Sequence, residues 1–150
     1  DTLHELTYMS CSVKADVVSL DLKESGLRKI LNFGHTIGHA IETLSDFSIS
    51  HGEAVAYGSA MASYISYKRG YLTKEQLDRI IDIFKRYGLL KPLAHFSSID
   101  VINQMSFDKK KSHNKVSFIL LEKIGKAIIV RDIEENEIKE ALDFTIKICH

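Results

Sequence analysis

The chain has 150 residues, 45% hydrophobic and 27% charged, which suits one soluble globular domain with a substantial core. Its 20 acidic and 20 basic residues cancel, so no global field argues for nucleic acid or an anionic membrane as partner. Cys11 and Cys149 are too few and too far apart for a disulfide framework. No apolar run is long enough for a bilayer, and the start, Asp1-Thr2-Leu3-His4, has no signal-peptide pattern, so a cytoplasmic protein is expected. The chain does not begin with Met and reads as a piece of a longer protein.

In chain order, Leu3, Leu6, Met9, Val13, Val17 and Leu20 recur at steps of three and four, predicting an amphipathic helix over 2–21 with Lys14 beyond its middle. A Glu24-Ser25-Gly26 break precedes a second helix, expected from Leu27 to Leu44. Ser50 can cap a third helix running to Arg69. Its Ala54, Ala56, Gly58, Ser59, Ala60, Ala62 and Ser63 are small enough for close helix packing, which puts it at the centre. Thr73 and Gln76 form a capping box opening a fourth helix that stops at Gly88. Beyond Pro92, a short helix runs from Ser98 to about Phe107. Strands over 115–121 and 126–130 make a hairpin around Glu122 to Gly125, and an amphipathic helix over 133–148 closes the chain. The fold class expected is mainly α, a multi-helical domain with one small β-hairpin.

The chemistry concentrates in Arg28 to Glu42, followed by His51-Gly52-Glu53. From Arg28, steps of four, three and four reach Asn32, His35 and His39, all on one face if the segment is a single helix. A stripe of Arg, Asn, His and His suits a cleft better than a core. His35 and His39 form an HxxxH pair that could present two imidazoles to zinc, with His51 a third ligand beyond a short loop. A guanidinium and an amide beside them could bind a phosphate or carboxylate. Gly34 and Gly38 each cost a helix interior roughly 1 kcal/mol, so a ligand or the small-residue third helix should approach that backbone closely. Glu42 and Glu53 read as polar-face or helix-end residues rather than ligands. Phe107-Asp108-Lys109-Lys110-Lys111, taken alone, reads as a charged loop. His4, His95, His113 and His150 have no partners at useful spacing.

The stretches Lys14 to Val18, Asp21 to Arg28, Leu31-Asn32-Phe33-Gly34-His35-Thr36-Ile37-Gly38-His39-Ala40-Ile41-Glu42, His51 to Gly58 and Asp108-Lys109-Lys110 together resemble the C-terminal domain of the 3-dehydroquinate synthase family. That resemblance implies a helical domain following an NAD-binding Rossmann-like domain, and a shikimate-pathway enzyme that forms a homodimer when intact. It implies conversion of a linear seven-carbon sugar-acid phosphate to 3-dehydroquinate, with NAD and a divalent metal, zinc or cobalt. It makes His35 and His51 metal ligands and reassigns His39 to substrate contact and catalysis. Lys14, Arg28 and Asn32 match substrate-binding positions, and one lysine of the pair Lys109 and Lys110 matches another. The implied chemistry is transient oxidation by NAD, loss of phosphate, reduction, ring opening and aldol closure.

The departures from the family's pattern are equally informative. No glycine-rich strand–turn–helix for NAD is present, and the family's third metal ligand, a glutamate, and an active-site lysine precede its equivalent of Asp1. Leu22 stands where an acidic residue is usual, and Ser59 where methionine is. This part alone is therefore expected to be inactive. The alternatives are another sugar-phosphate cyclase, a metal-dependent polyol dehydrogenase of the same superfamily, and a non-catalytic helical domain with structural metal. Structural zinc usually takes four protein ligands, more than the candidates here.

Overall fold

The computed structural model describes residues 2–23, 26–93, 96–112 and 117–150, with backbone alone for 106–112. Two compact units emerge, Asp1–Leu31 and Asn32–His150. In the first, α1 (Thr2–Leu20) forms where the apolar spacing predicts a helix, with Glu5 in its first turn favouring the dipole. None of its residues is buried; Leu3, Leu6, Met9, Val13 and Leu20 stay between 50% and 75% exposed. After α1, a carboxylate oxygen of Asp21 accepts from the backbone N–H groups of Gly26 at 2.8 Å and Arg28 at 3.0 Å. That side-chain cap satisfies orphan donors and opens a 3-10 helix over Leu27–Asn32.

The single helix expected from Leu27 to Leu44 is therefore two elements. The 3-10 turn ends at Asn32, and α2 spans His35–Leu44. Between them Gly34 takes a φ of +78°, a left-handed conformation that glycine adopts without steric cost. The cause is tertiary. α3 (His51–Lys68) presses its small residues against this point, and a Cβ on Gly34 would lie 2.6 Å from the Ser59 backbone nitrogen. A Cβ on Gly38 would lie 2.9 Å from the Ala54 carbonyl oxygen, and one on Gly58 would run into the Gly34 carbonyl. The two glycines of the histidine helix thus serve the approach of α3, one of the two explanations their sequence positions allowed.

α3 is the hub of the second unit. It packs against α2, α4 (Lys74–Arg86), α6 (Glu135–Cys149) and β1 (Phe118–Lys123), while α5 (Ser98–Ser112) packs on α2 and α6. The core joins Ile37 and Ile41 from α2, Met61 and Ile65 from α3, Leu77 from α4, Val101 from α5, and Leu120 and Leu142 beyond it. Each fully buried aliphatic side chain contributes roughly 1.5–3 kcal/mol of transfer free energy. Ser50 and Glu53 form a capping box on α3, as Thr73 and Gln76 do on α4. β1 pairs antiparallel with β2 (Lys126–Val130), Leu120 facing Ile128, and Gly125 turns the hairpin at a φ of +87°.

Specific polar ties fix these elements. The Ser66 hydroxyl donates to the Ala62 carbonyl and accepts from the Leu121 N–H at 3.0 Å, joining α3 to β1. Thr36, in the first turn of α2, donates to the Ser117 carbonyl at 3.1 Å. Arg69 at the end of α3 grips both carboxylate oxygens of Glu137, at 2.6 and 2.7 Å, and reaches Asp132. Facing two carboxylates, its guanidinium is held even more firmly in the charged form, and the Glu137 carboxyl is pulled below its usual range by the same contact.

Two expectations need correcting at the C-terminal side. The helix expected to stop near Phe107 continues to Ser112, so the backbone of Phe107 to Lys111 is helical rather than a loop. Lysine is a good helix former and its charge favours the C-terminal end of the dipole. The strand expected from Lys115 is described from Phe118 to Lys123, with 115 and 116 outside the described residues. Among the described residues no helix is long and apolar enough to cross a membrane.

Candidate metal centre

The start of α2 and the start of α3 bring three imidazoles together. The ring centres of His35, His39 and His51 lie 5.5, 5.4 and 5.5 Å apart, pair by pair, a nearly equilateral triangle. Two imidazoles bound tetrahedrally at about 2.0–2.1 Å have ring centres about 5 Å apart, so the spacing of every pair suits one divalent ion. HxxxH spacing put His35 and His39 on one face of α2, while His51 is returned by the loop over 45–50. Asp46 and Phe47 in that loop hold φ of 51° and 58°, a conformation non-glycine residues rarely adopt. Ser45 braces it, donating to the Glu42 carbonyl at 2.8 Å and accepting from the Ile49 N–H at 3.3 Å.

The rings differ in what holds them. His35, half-buried, has Nδ1 3.2 Å from the Phe33 carbonyl oxygen. His51, exposed, has Nδ1 3.2 Å from a carboxylate oxygen of Glu42. An oxygen acceptor at Nδ1 requires the hydrogen there, and this tautomer leaves Nε2 with the lone pair a metal needs. The resemblance had singled out the same two histidines as ligands. Among the described residues, it is the donor atoms of His39, Glu42 and His51 that all come within 4.8 Å of one another. Donor separation thus gathers His39, Glu42 and His51, whereas a hydrogen on Nδ1 leaves Nε2 of His35 and of His51 with the lone pair a metal needs.

Glu53 takes no part in this cluster. Its carboxylate accepts from the Ser50 N–H at 3.2 Å and the Ser50 hydroxyl at 2.7 Å, and pairs with Lys91. Lys91 and then Ser50 hold its carboxyl down to about 2. The backbone of Lys91 also accepts from the Tyr57 hydroxyl at 3.1 Å, tying the segment after α4 to α3. Glu53 is thus the helix-end residue its sequence position suggested. Lys91 was not legible, because its partner lies far away in sequence.

Of the substrate-binding candidates, Lys14 and Arg28 belong to the first unit, and Asn32, Lys109 and Lys110 to the second. Lys14 lies exposed on α1, and Arg28 sits in the 3-10 helix with its guanidinium 3.2 Å from the Leu22 carbonyl. Asn32 is exposed at the start of the second unit. The one-helix face that was to align Arg28 and Asn32 with His35 and His39 does not exist, because the backbone changes course at Gly34. Lys109 and Lys110 lie on α5 where only the backbone is described. His95 and His113 lie outside the described residues.

Residues 1–111, most of the chain, match the family model for the C-terminal part of 3-dehydroquinate synthase. The chain belongs to that family. The 3-dehydroquinate synthase of Caldanaerobacter subterraneus subsp. tengcongensis is 44% identical over 139 residues, covering 90% of this chain and 39% of the relative. The enzyme of that name from Rippkaea orientalis is 44% identical over 144 residues, covering 95% and 39%. The chain thus spans about two-fifths of the length of the 3-dehydroquinate synthases it matches. Among solved structures, 2-epi-5-epi-valiolone synthase from Streptomyces hygroscopicus subsp. jinggangensis, with NAD+ and Zn2+ bound, superposes with a TM-score of 0.77 at 27% identity. That match covers 88% of this chain and 37% of the synthase. A 2-deoxy-scyllo-inosose synthase complexed with carbaglucose-6-phosphate, NAD+ and Co2+ gives 0.76 at 27% identity, covering 87% and 39%. The mainly helical fold with one hairpin is therefore a fold this family shares with its sugar-phosphate cyclase neighbours.

Proposed function

We propose that the chain is the metal- and substrate-holding part of a cytoplasmic 3-dehydroquinate synthase. The reaction is conversion of 3-deoxy-D-arabino-heptulosonate 7-phosphate to 3-dehydroquinate and phosphate, and the intact enzyme is a homodimer. The observation that carries this reading is the triangle of imidazoles in which His35 and His51 both have Nδ1 against an oxygen acceptor. Those two rings hold zinc or cobalt through Nε2, and the remaining protein ligand is a glutamate preceding this chain. When bound, the metal supplies Lewis-acid polarisation of a substrate oxygen and NAD supplies the hydride chemistry.

His39 stands beside the metal-holding pair rather than in it. Its exposed imidazole faces substrate and passes a proton to or from it. Lys14, Arg28, Asn32, Lys109 and Lys110 meet the anionic groups of the substrate, where ammonium and guanidinium donors form charge-assisted hydrogen bonds. NAD is bound mainly by a Rossmann-like domain preceding this chain. Identities of 44% to 3-dehydroquinate synthases, against 27% to the other cyclases, favour this reaction within the superfamily.

The test is reconstitution. The chain given NAD, zinc and the linear phosphate substrate should release no phosphate by itself, because positioning for hydride transfer tolerates displacements of only about 1 Å. Adding the NAD-binding half of a 3-dehydroquinate synthase should restore release, and H35A or H51A should abolish it. Turnover by the chain alone, or reconstituted turnover indifferent to both substitutions, would contradict the proposal.

A further inference from the structure

Glu42 lies in the last turns of α2, two helical turns beyond His35, and its side chain is 19% exposed. Its carboxylate meets Nδ1 of His51 at 3.2 Å, across the loop from the α3 start, with a ring nitrogen of His39 on its own helix also within 4.8 Å. Of the two rings assigned to the metal, His35 has its Nδ1 against the backbone carbonyl of Phe33, two residues before it, while His51 is the more exposed and has a side chain as its anchor. Being the first residue of α3, His51 has no preceding helical turn to restrict its ring.

We propose that Glu42 is a positioning residue that fixes the tautomer and the orientation of His51, and so sets the metal affinity of the site. This rests on the reading of His35 and His51 as the metal-holding pair. A carboxylate accepts only, so the shared hydrogen belongs to Nδ1 and Nε2 is presented to the ion. The negative charge behind the ring also makes it a stronger ligand, as carboxylate partners of metal-bound histidines do. Glu42 is thereby distinguished from a ligand: it touches the nitrogen that does not bind the metal.

The metal-free 150-residue chain, with 15N-labelled histidines, provides the first readout. Long-range 1H–15N correlation at alkaline pH should show His51 with its hydrogen on Nδ1. Zinc added to the same sample should shift Nε2 of His51. In E42A the His51 tautomer should become mixed, and zinc affinity, measured by competition with a chromophoric chelator, should fall about 10–100-fold. Affinity unchanged in a folded E42A would overturn the proposal, as would zinc binding at His51 Nδ1. Because the wild-type tautomer is read directly, the proposal can fail even if E42A does not fold: His51 with its hydrogen on Nε2 overturns it. That result leaves the metal reading intact, whereas no zinc-dependent shift at either His35 or His51 overturns the metal reading itself.

Discussion

α1 and α3 are nearly equal in length, 19 and 18 residues, and their sequences suggest opposite fates. α1 has the regular apolar spacing of a core helix, yet none of its residues is buried. α3 has little apolar stripe, yet it buries residues on every side, among them Ala54, Ala60, Met61, Ser63 and Ser66. Apolar spacing tells where a helix forms; side-chain size tells how near its neighbours can come. Close approach is what the site depends on, because the contact of α3 with Gly34 and Gly38 sets the histidines of α2 beside His51.

The largest effect should come from filling that contact. In G34A the new Cβ meets α3 and the backbone is held at a φ that alanine disfavours; in G58A it meets the Gly34 carbonyl. Each should cost about 3 kcal/mol or more in urea unfolding. Either variant retaining wild-type stability would break the comparison. Next comes R69M, which leaves the Glu137 carboxylate without its two guanidinium bonds. Hydrogen bonds to charged groups contribute about 1.5–3 kcal/mol each, and partial solvent exposure of Arg69 brings the expected loss to the lower end of that range.

A smaller effect is expected from the α3 cap, and it should be visible in pH. The Glu53 carboxyl sits near 2 in the fold against 4.5 when free. Its contribution is therefore complete above about pH 4.5 and is lost as pH falls toward 2. In E53Q the acid limb of the stability curve should be flatter than wild type, with little change in its slope above pH 5. A limb of unchanged steepness would remove Glu53 from the account. The smallest effect belongs to α1: L6K and M9K, on a surface already exposed, should change unfolding free energy by no more than about 0.5 kcal/mol. A large loss in either would show that α1 is buried in solution.

The same contrast explains what could be read from the sequence. The cap at Ser50, the capping box of Thr73 and Gln76, the hairpin and the closing helix were legible because their signals are local, as with Gly125 between two apolar runs; that Glu53 completes a box with Ser50 came from the structure. The break at Gly34 was not, since the force behind it comes from Ser59 and Gly58 on another helix; Gly34 and Gly38 recorded that force without naming it. The triangle of histidines was half legible. HxxxH gave His35 and His39 and the short loop gave the return of His51, but not the backbone that achieves it, with Asp46 and Phe47 left-handed. Glu42 looked like a surface residue because its partner lies on the next helix. α5 ran past its expected end because a lysine run reads equally as loop or helix.

The central claim is that one divalent ion is held by His35 and His51, with His39 beside it. Zinc titrated calorimetrically into the chain and into H35A, H39A and H51A tests this most directly. Binding should be lost in H35A and H51A and stay within a few-fold of wild type in H39A. Binding that survives H35A but is lost in H39A would contradict the account and assign the ion to His39, Glu42 and His51 instead.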